Sequence, residues 1–120
     1  MHVSIRDAIR HPPGLLLRAR PHPAFQVHLW DAVERRRLHR YRGHKQGRFV
    51  IRSCFGGRDE SLIFSGSEDT QVYIWHRYSE TLLETLPGHS GSVNSVAWSP
   101  RGDLFASASD DHTVRVWGAE

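Results

Sequence analysis

GHSGSVNSVAWSPRGDLFASASDDHTVRVW, residues 88–117, decides how this 120-residue chain is read. A Gly-His pair opens the stretch, a Ser-Pro-x-Gly turn divides it, and an acidic turn precedes its closing tryptophan. Between these marks lie three short runs, Val93–Trp98, Leu104–Ser109 and Thr113–Trp117. Apolar and polar residues alternate within them, which is the period of a strand and not of a helix. The same order of marks stands one unit earlier. Gly43-His44 leads through Phe49–Phe55 and Leu62–Ser67 to Val72–Trp75, with Gly56-Gly57 and Ser67-Glu68-Asp69 as the turns. Glu80–Leu86 then reads as a fourth, outer strand, ended by Pro87-Gly88. No stretch of helical period competes.

Spacing makes the repeat quantitative. Trp30 and Trp75 are 45 residues apart, and Trp75 and Trp117 are 42 apart. Ser65 to Ser107 and Asp69 to Asp111 are each 42 as well. A period near 40–45 residues with Gly-His and a terminal tryptophan marks four-stranded propeller blades. In its residues the chain resembles the WD-repeat (WD40) family over about residues 25–120. The expected fold is therefore all-β, with antiparallel four-stranded blades of a partial, truncated WD40 β-propeller. Four units are expected. Residues 1–24 are a poorly defined segment, disordered or a degraded blade, in which Leu15–Ala19 reads as a worn second strand. Residues 25–42 are the last two strands of an incomplete blade, Gln26–Trp30 and Arg35–Tyr41. Residues 43–87 form a full repeat, and residues 88–120 form a C-terminal repeat without its outer strand. A stack this short leaves apolar blade faces open, so the chain reads as a fragment or as a piece that assembles with other copies.

The family resemblance implies a hydrogen-bonded chain in each repeat, running Trp to Ser, Ser to His and His to Asp. Carried over, it places His44, Ser65, Asp69 and Trp75 in one blade and His89, Ser107, Asp111 and Trp117 in the next. The residue types suit such a chain. An indole only donates, a hydroxyl does both, an imidazole does one at each nitrogen, and a carboxylate accepts. Ser, His and Asp also invite comparison with a hydrolase, but the set recurs in each repeat together with a tryptophan donor, and catalysis needs an exposed nucleophile and an oxyanion site. The expectation is structural, with no enzyme activity and no cofactor. The nine histidines form no zinc-ligand spacing with cysteine, so no metal is expected. Partners of propellers dock on the rim where Gly-His loops and acidic turns lie. That nominates Lys45, Arg48, Glu68, Ser92 and Asp110, each of which also reads as an ordinary solvated loop residue.

Certain strings are more particular than the generic repeat. Arg52–Gly57 (RSCFGG), Ser65–His76 (SGSEDTQVYIWH), His76 after Trp75 and Gly118 after Trp117 resemble the C-terminal blades of the WD-repeat subunits of CTLH (GID) ubiquitin ligases. The resemblance implies a non-enzymatic scaffold or substrate-recruiting subunit, with the ligase's CTLH and RING subunits and substrate proteins as partners. The helical LisH and CTLH segments of those subunits have no counterpart in these 120 residues.

Charge is divided along the chain. Residues 1–57 hold 12 Lys/Arg against 3 Asp/Glu, a balance of +9, and residues 58–120 hold 4 against 10, a balance of −6. Arg35, Arg36, Arg37 and Arg40 suit an exposed outer strand, where charge blunts edge pairing. The rival reading is a basic Arg35–Arg48 surface in an RNA- or chromatin-associated complex. No aromatic platform is interleaved with these arginines, so nucleic acid is the weaker partner. The single Cys54 lies in an apolar run, which suits a buried thiol in a reducing compartment. No apolar run nears the ~20 residues that span a bilayer, so no membrane partner is expected. A cytoplasmic or nuclear location follows.

Overall fold

Short runs of β-branched and aromatic residues, cut by Gly, Pro and Asp, favour pleated strands joined by tight turns. The computed structural model describes residues 15–20, 26–44, 51–99 and 104–118. Within them are ten strands, a short 3-10 turn at Arg58–Glu60, and no α-helix. The strands are β1 (Leu15–Arg20), β2 (Gln26–Asp31), β3 (Arg36–Arg42), β4 (Ser53–Gly56), β5 (Leu62–Ser65), β6 (Val72–His76), β7 (Leu82–Leu86), β8 (Val93–Ser99), β9 (Leu104–Ser109) and β10 (Val114–Gly118). They form three antiparallel sheets, β1-β2-β3, β4-β5-β6-β7 and β8-β9-β10, each connected strand to next strand. The chain is all-β and its sheets are partial propeller blades.

Alternation along β6 sets how the sheets stack. Tyr73 and Trp75 point to one face, where they join Val27, Leu29 and Tyr41 of the first sheet and Phe55 and Ile63 of the second. Val72 and Ile74 point to the other, where they join Cys54 and Phe64 of the second sheet and Val93, Val96 and Phe105 of the third. The middle sheet is thus apolar on both faces and carries a core on each. Fully burying one such large side chain contributes about 1.5–3 kcal/mol, so these two cores dominate the stack. The second is strongly aromatic, with Phe64 stacked on Phe105 at 4.7 Å and on Trp98 at 5.6 Å.

Polar links hold the sheets in register. Val93 N donates to Ser67 O and Arg52 N to Asn94 O, both at 2.9 Å, joining the second sheet to the third. Gly66 permits that approach, because a Cβ there would lie 2.1 Å from Val93 O. On the other side, Tyr41 Oη donates to Arg77 O at 2.7 Å. Glu80 Oε2 meets His39 Nδ1 at 2.8 Å and accepts from Arg40 N at 3.1 Å. Burial raises the Glu80 carboxyl pKa, but hydrogen bonds from His39 and Arg40 outweigh it and hold it below the usual value.

Strand β1 stands where the sequence reading placed a worn second strand at Leu15–Ala19; it extends to Arg20, pairs along the whole of β2, and packs the partly buried Leu15 and Leu17 against the first core. Two boundaries differ from the sequence reading. Strand β5 stops at Ser65, since Ser67 has left the ladder to bond Val93. Strand β7 starts at Leu82, because Glu80 sits at φ 63° in the turn before it. The expected start of the inner strand at Phe49 lies outside the described residues.

Candidate protein-interaction surface

In the last repeat, hydrogen bonds run through all four marked side chains. Trp117 Nε1 donates to Ser107 Oγ at 2.9 Å, Ser107 Oγ meets His89 Nε2 at 2.7 Å, and His89 Nδ1 meets Asp111 Oδ2 at 2.9 Å. Donor logic fixes the tautomer. The Asp111 carboxylate only accepts, so the proton of the neutral imidazole sits on Nδ1, and Nε2 accepts from the Ser107 hydroxyl, whose oxygen in turn accepts from the indole N–H. The sequence places each member where this works. His89 follows Gly88, whose φ of 147° turns the chain inward. Ser107 and Trp117 lie on β9 and β10, and Asp111 lies in the turn between them. Asp111 is the hub, since it also accepts from Ser90 N at 3.0 Å and from Thr113 N at 2.9 Å. Above all the Thr113 hydroxyl, with Ser90 N, His89 and Thr113 N adding to it and together outweighing the opposing effect of burial, holds its carboxyl far below the usual carboxylate range.

These three groups have the order of a Ser-His-Asp triad, yet the hydroxyl is not placed to attack anything. Ser107 is 1% exposed, and its oxygen already accepts the Trp117 indole N–H. A nucleophile needs access and a neighbouring oxyanion site. Here the polar groups are spent on joining loop to strand.

The preceding repeat uses the same residue types differently, which corrects the expected link from Trp75 to Ser65. Trp75 Nε1 donates instead to Arg42 O at 2.8 Å, tying its indole to the end of β3. Ser65 Oγ accepts from Ser53 Oγ at 3.1 Å and donates to Gly66 O at 2.9 Å. His44, 1% exposed, sets its ring edge-on to Trp75 at 5.9 Å and to Tyr73 at 6.5 Å. Asp69 accepts the Tyr73 hydroxyl proton. Burial first, and that hydrogen bond second, push the Tyr73 phenol well above its usual value. The physical reason is position 73. Tyrosine there reaches back to the acidic turn, whereas the equivalent residue 42 positions on is Arg115.

The nominated rim residues divide in three ways. Ser92 and Asp110 come together, since Asp110 N donates to Ser92 O at 3.0 Å and Asn94 Nδ2 donates to Asp110 Oδ1 at 2.7 Å. Glu68 is half-buried in the turn before Asp69, one repeat away from Asp110. Lys45 and Arg48 lie outside the described residues. Sequence reasoning missed Asn94, Tyr73 and Thr113. Thr113 and Tyr73 have no matching type one period away, so a search for repeated marks passes over them. Asn94 is legible only once Asp110 is known to stand across from it.

Elsewhere, Cys54 is buried against Trp98, and burial pushes its thiol up to about 12. That leaves it protonated and inert at neutral pH. Among the described residues no cluster of three or more His, Cys, Asp or Glu side chains could hold a metal ion. Among them, too, no helix is long and apolar enough to cross a membrane.

The family model described as "WD domain, G-beta repeat" matches residues 35–76 and 80–118. Each match begins on or just before the outer strand of one sheet and ends on the third strand of the next, so the sequence repeat straddles two sheets. A WD repeat-containing protein 26 homolog from Arabidopsis thaliana is 53% identical over 97 residues, 79% of this chain and 16% of that protein. A WD repeat-containing protein from Dictyostelium discoideum is 60% identical over 84 residues, 69% of this chain and 14% of that protein. GID complex subunit 7 of Schizosaccharomyces pombe is 53% identical over 98 residues, 81% of this chain and 19% of that protein. The chain therefore spans less than a fifth of the length of these relatives.

Proposed function

We propose, on the premise that this chain belongs to the WD-repeat family, that it is a non-enzymatic protein–protein interaction scaffold contributing blades to a CTLH/GID-type ubiquitin ligase. In that role it recruits substrate proteins or holds them near the ligase's RING subunits, in the cytoplasm or the nucleus. One observation carries the ligase assignment: 53% identity over 98 residues to a protein named as a GID complex subunit. The geometry supports the scaffold part. The Ser107–His89–Asp111 set is buried and fully engaged, so the chemistry left at the surface is that of recognition. We assign partner contact to the rim around Ser92, Asn94 and Asp110, together with Glu68 at the matching turn one repeat earlier and with Lys45 and Arg48.

Affinity purification of the tagged chain from its own cell extract at moderate salt, read by mass spectrometry, tests this. Recovery of CTLH and RING subunits, reduced by Asp110→Ala, is the expected result. Recovery of chaperones alone overturns the idea that these blades hold a ligase contact. Nucleic acid and its binding proteins, lost as salt is raised, would give the basic Arg35–Arg48 region the working role instead.

A further inference from the structure

The free edge of β3 carries a row of arginines that the repeat does not call for. Arg35, Arg36, Arg37 and Arg42 are exposed and Arg40 is half-buried, and no Asp or Glu interrupts residues 35–42. Among the described residues the ion pairs are His39–Glu80 and His89–Asp111, so none of these guanidinium groups is paired with a carboxylate. Strand β3 ends its sheet as β7 ends the next, and both break register at the same place, after Leu29 and after Ile74. Moving 45 residues along the chain takes Arg35, Arg36, Arg37, Arg40 and Arg42 to Glu80, Thr81, Leu82, Thr85 and Pro87. All five of those are exposed, although the middle sheet is covered on both faces. The row on β3 is therefore surface by its place in the blade and not for want of a neighbouring sheet. Strand β7 is an equally open edge and holds no Lys or Arg, so blunting such an edge does not take five arginines.

The chain itself shows what this edge takes. Glu80 Oε2 accepts from Arg40 N at 3.1 Å and meets His39 Nδ1 at 2.8 Å. The N–H groups of a strand lie in the plane of its sheet, so that carboxylate has come to β3 from the open side. It fills one place and leaves the rest of the row open. We propose that the outer edge of β3 is a docking surface for an acidic polypeptide segment, laid along the strand with its carboxylates against Arg36, Arg37 and Arg42. From Arg36 to Arg42 the strand runs roughly 20 Å at ~3.3 Å per residue, so about seven extended residues span it. A guanidinium presents a planar fork that meets a carboxylate with two parallel bonds. A row of like charge also turns away basic or uncharged strands that could otherwise pair with the edge. Phosphate is the rival anion, but single-stranded nucleic acid gains affinity by stacking bases on aromatic rings. Tyr41, the one Phe, Tyr or Trp of β3, is buried. This surface belongs to another sheet than the rim around Ser92, Asn94 and Asp110, and its occupation does not depend on ligase membership.

Fluorescence anisotropy tests this, with the 120-residue chain titrated into a labelled peptide of alternating Glu and Thr, about eight residues long, in about 50 mM NaCl. A peptide of alternating Lys and Thr and an oligothymidylate of the same length are the controls. The expected result is saturable binding of the acidic peptide alone, with peptide-induced NMR shifts concentrated in the amides of Arg36–Arg42. Arg36→Glu/Arg37→Glu alters two exposed side chains, so it should keep its far-UV spectrum and bind about tenfold or more weakly. Arg52→Glu/Arg115→Glu makes an equal change of net charge at exposed side chains away from β3 and should move Kd by less than about twofold. Arg36→Gln/Arg37→Gln serves if the charge reversal loses its fold. Absence of saturable binding overturns the proposal. So do an equal loss in Arg52→Glu/Arg115→Glu, shifts centred away from β3, or an oligothymidylate that binds more tightly than the acidic peptide.

Discussion

Gly66→Ala turns one sheet-to-sheet contact into a measurement. The added methyl carbon would lie 2.1 Å from Val93 O, 2.8 Å from Val93 C and 3.2 Å from Val93 Cγ1. A carbon rests against a carbonyl oxygen at about 3.3 Å or more, so the neighbouring strand must retreat by roughly 1.2 Å. The obstacle is backbone and no rotamer change relieves it. Overpacking of this kind costs about 1–3 kcal/mol. The retreat also stretches the adjacent Val93 N to Ser67 O bond of 2.9 Å, whose loss adds about 1 kcal/mol. The sum, about 2–4 kcal/mol, is a large part of the ~5–15 kcal/mol a domain has. At about 4 °C per kcal/mol it lowers Tm by roughly 8–16 °C. Thermal and urea unfolding by far-UV circular dichroism, at one fixed protein concentration, reads it. Ala108→Gly, the reverse change at the equivalent position, should cost only the about 0.5–1 kcal/mol of a glycine in a strand. A Gly66→Ala chain within about 1 kcal/mol of wild type, or an Ala108→Gly chain as damaged as Gly66→Ala, would refute the reasoning.

Three further outcomes are expected. Ser107→Ala removes both the acceptor for Trp117 Nε1 and the donor to His89 Nε2, and leaving such groups unmet costs about 2–4 kcal/mol in urea unfolding. The Trp117 indole N–H resonance should move with it, while that of Trp75, bonded to Arg42 O, stays in place. Thr70 holds φ 76° with a β-branched side chain, so Thr70→Asn should stabilise by about 0.5–1 kcal/mol and raise Tm by a few degrees. Asp111 titrates lower in the folded chain than in the unfolded one, so its contribution is complete above the unfolded value of about 4 and is lost as pH falls below it. Unfolding midpoints measured from pH 5 down to pH 3 should therefore drop, and Asp111→Asn should flatten the drop.

Much of the fold was legible because the residues that make strands and the residues that end them occur in a fixed order with a 42–45 residue period. The all-β class, the sheet count and the second and third strands of each repeat follow from that order. What stayed hidden depends on neighbours in space. Ser67 leaves β5 because Val93 arrives from another sheet, and no local pattern announces that arrival. Glu80 leaves β7 because the turn before that strand takes it to φ 63°, where its carboxylate meets His39 and Arg40 of another sheet. The polar set divides the same way. In the last repeat the four marked side chains bond in series, whereas in the middle repeat Trp75 finds a carbonyl of the preceding sheet and Asp69 finds Tyr73.

The contrast between the two repeats also says where recognition can reside. His44 and His89 occupy the same place in the motif and are both buried, at 1% and 6% exposure. Neither presents chemistry to solvent, and the same holds for Ser65 and Ser107. A polar group buried in a hydrogen-bonded chain gains rigidity and loses availability. What varies between the repeats and reaches the surface is the turn residue ahead of each aspartate, half-buried Glu68 in one and exposed Asp110 in the other. Valine is core at position 72 and surface at position 114 for one reason, the presence or absence of a neighbouring sheet. In a stacked architecture the packing of one sheet on the next is therefore what decides whether the same residue type serves as core or as surface.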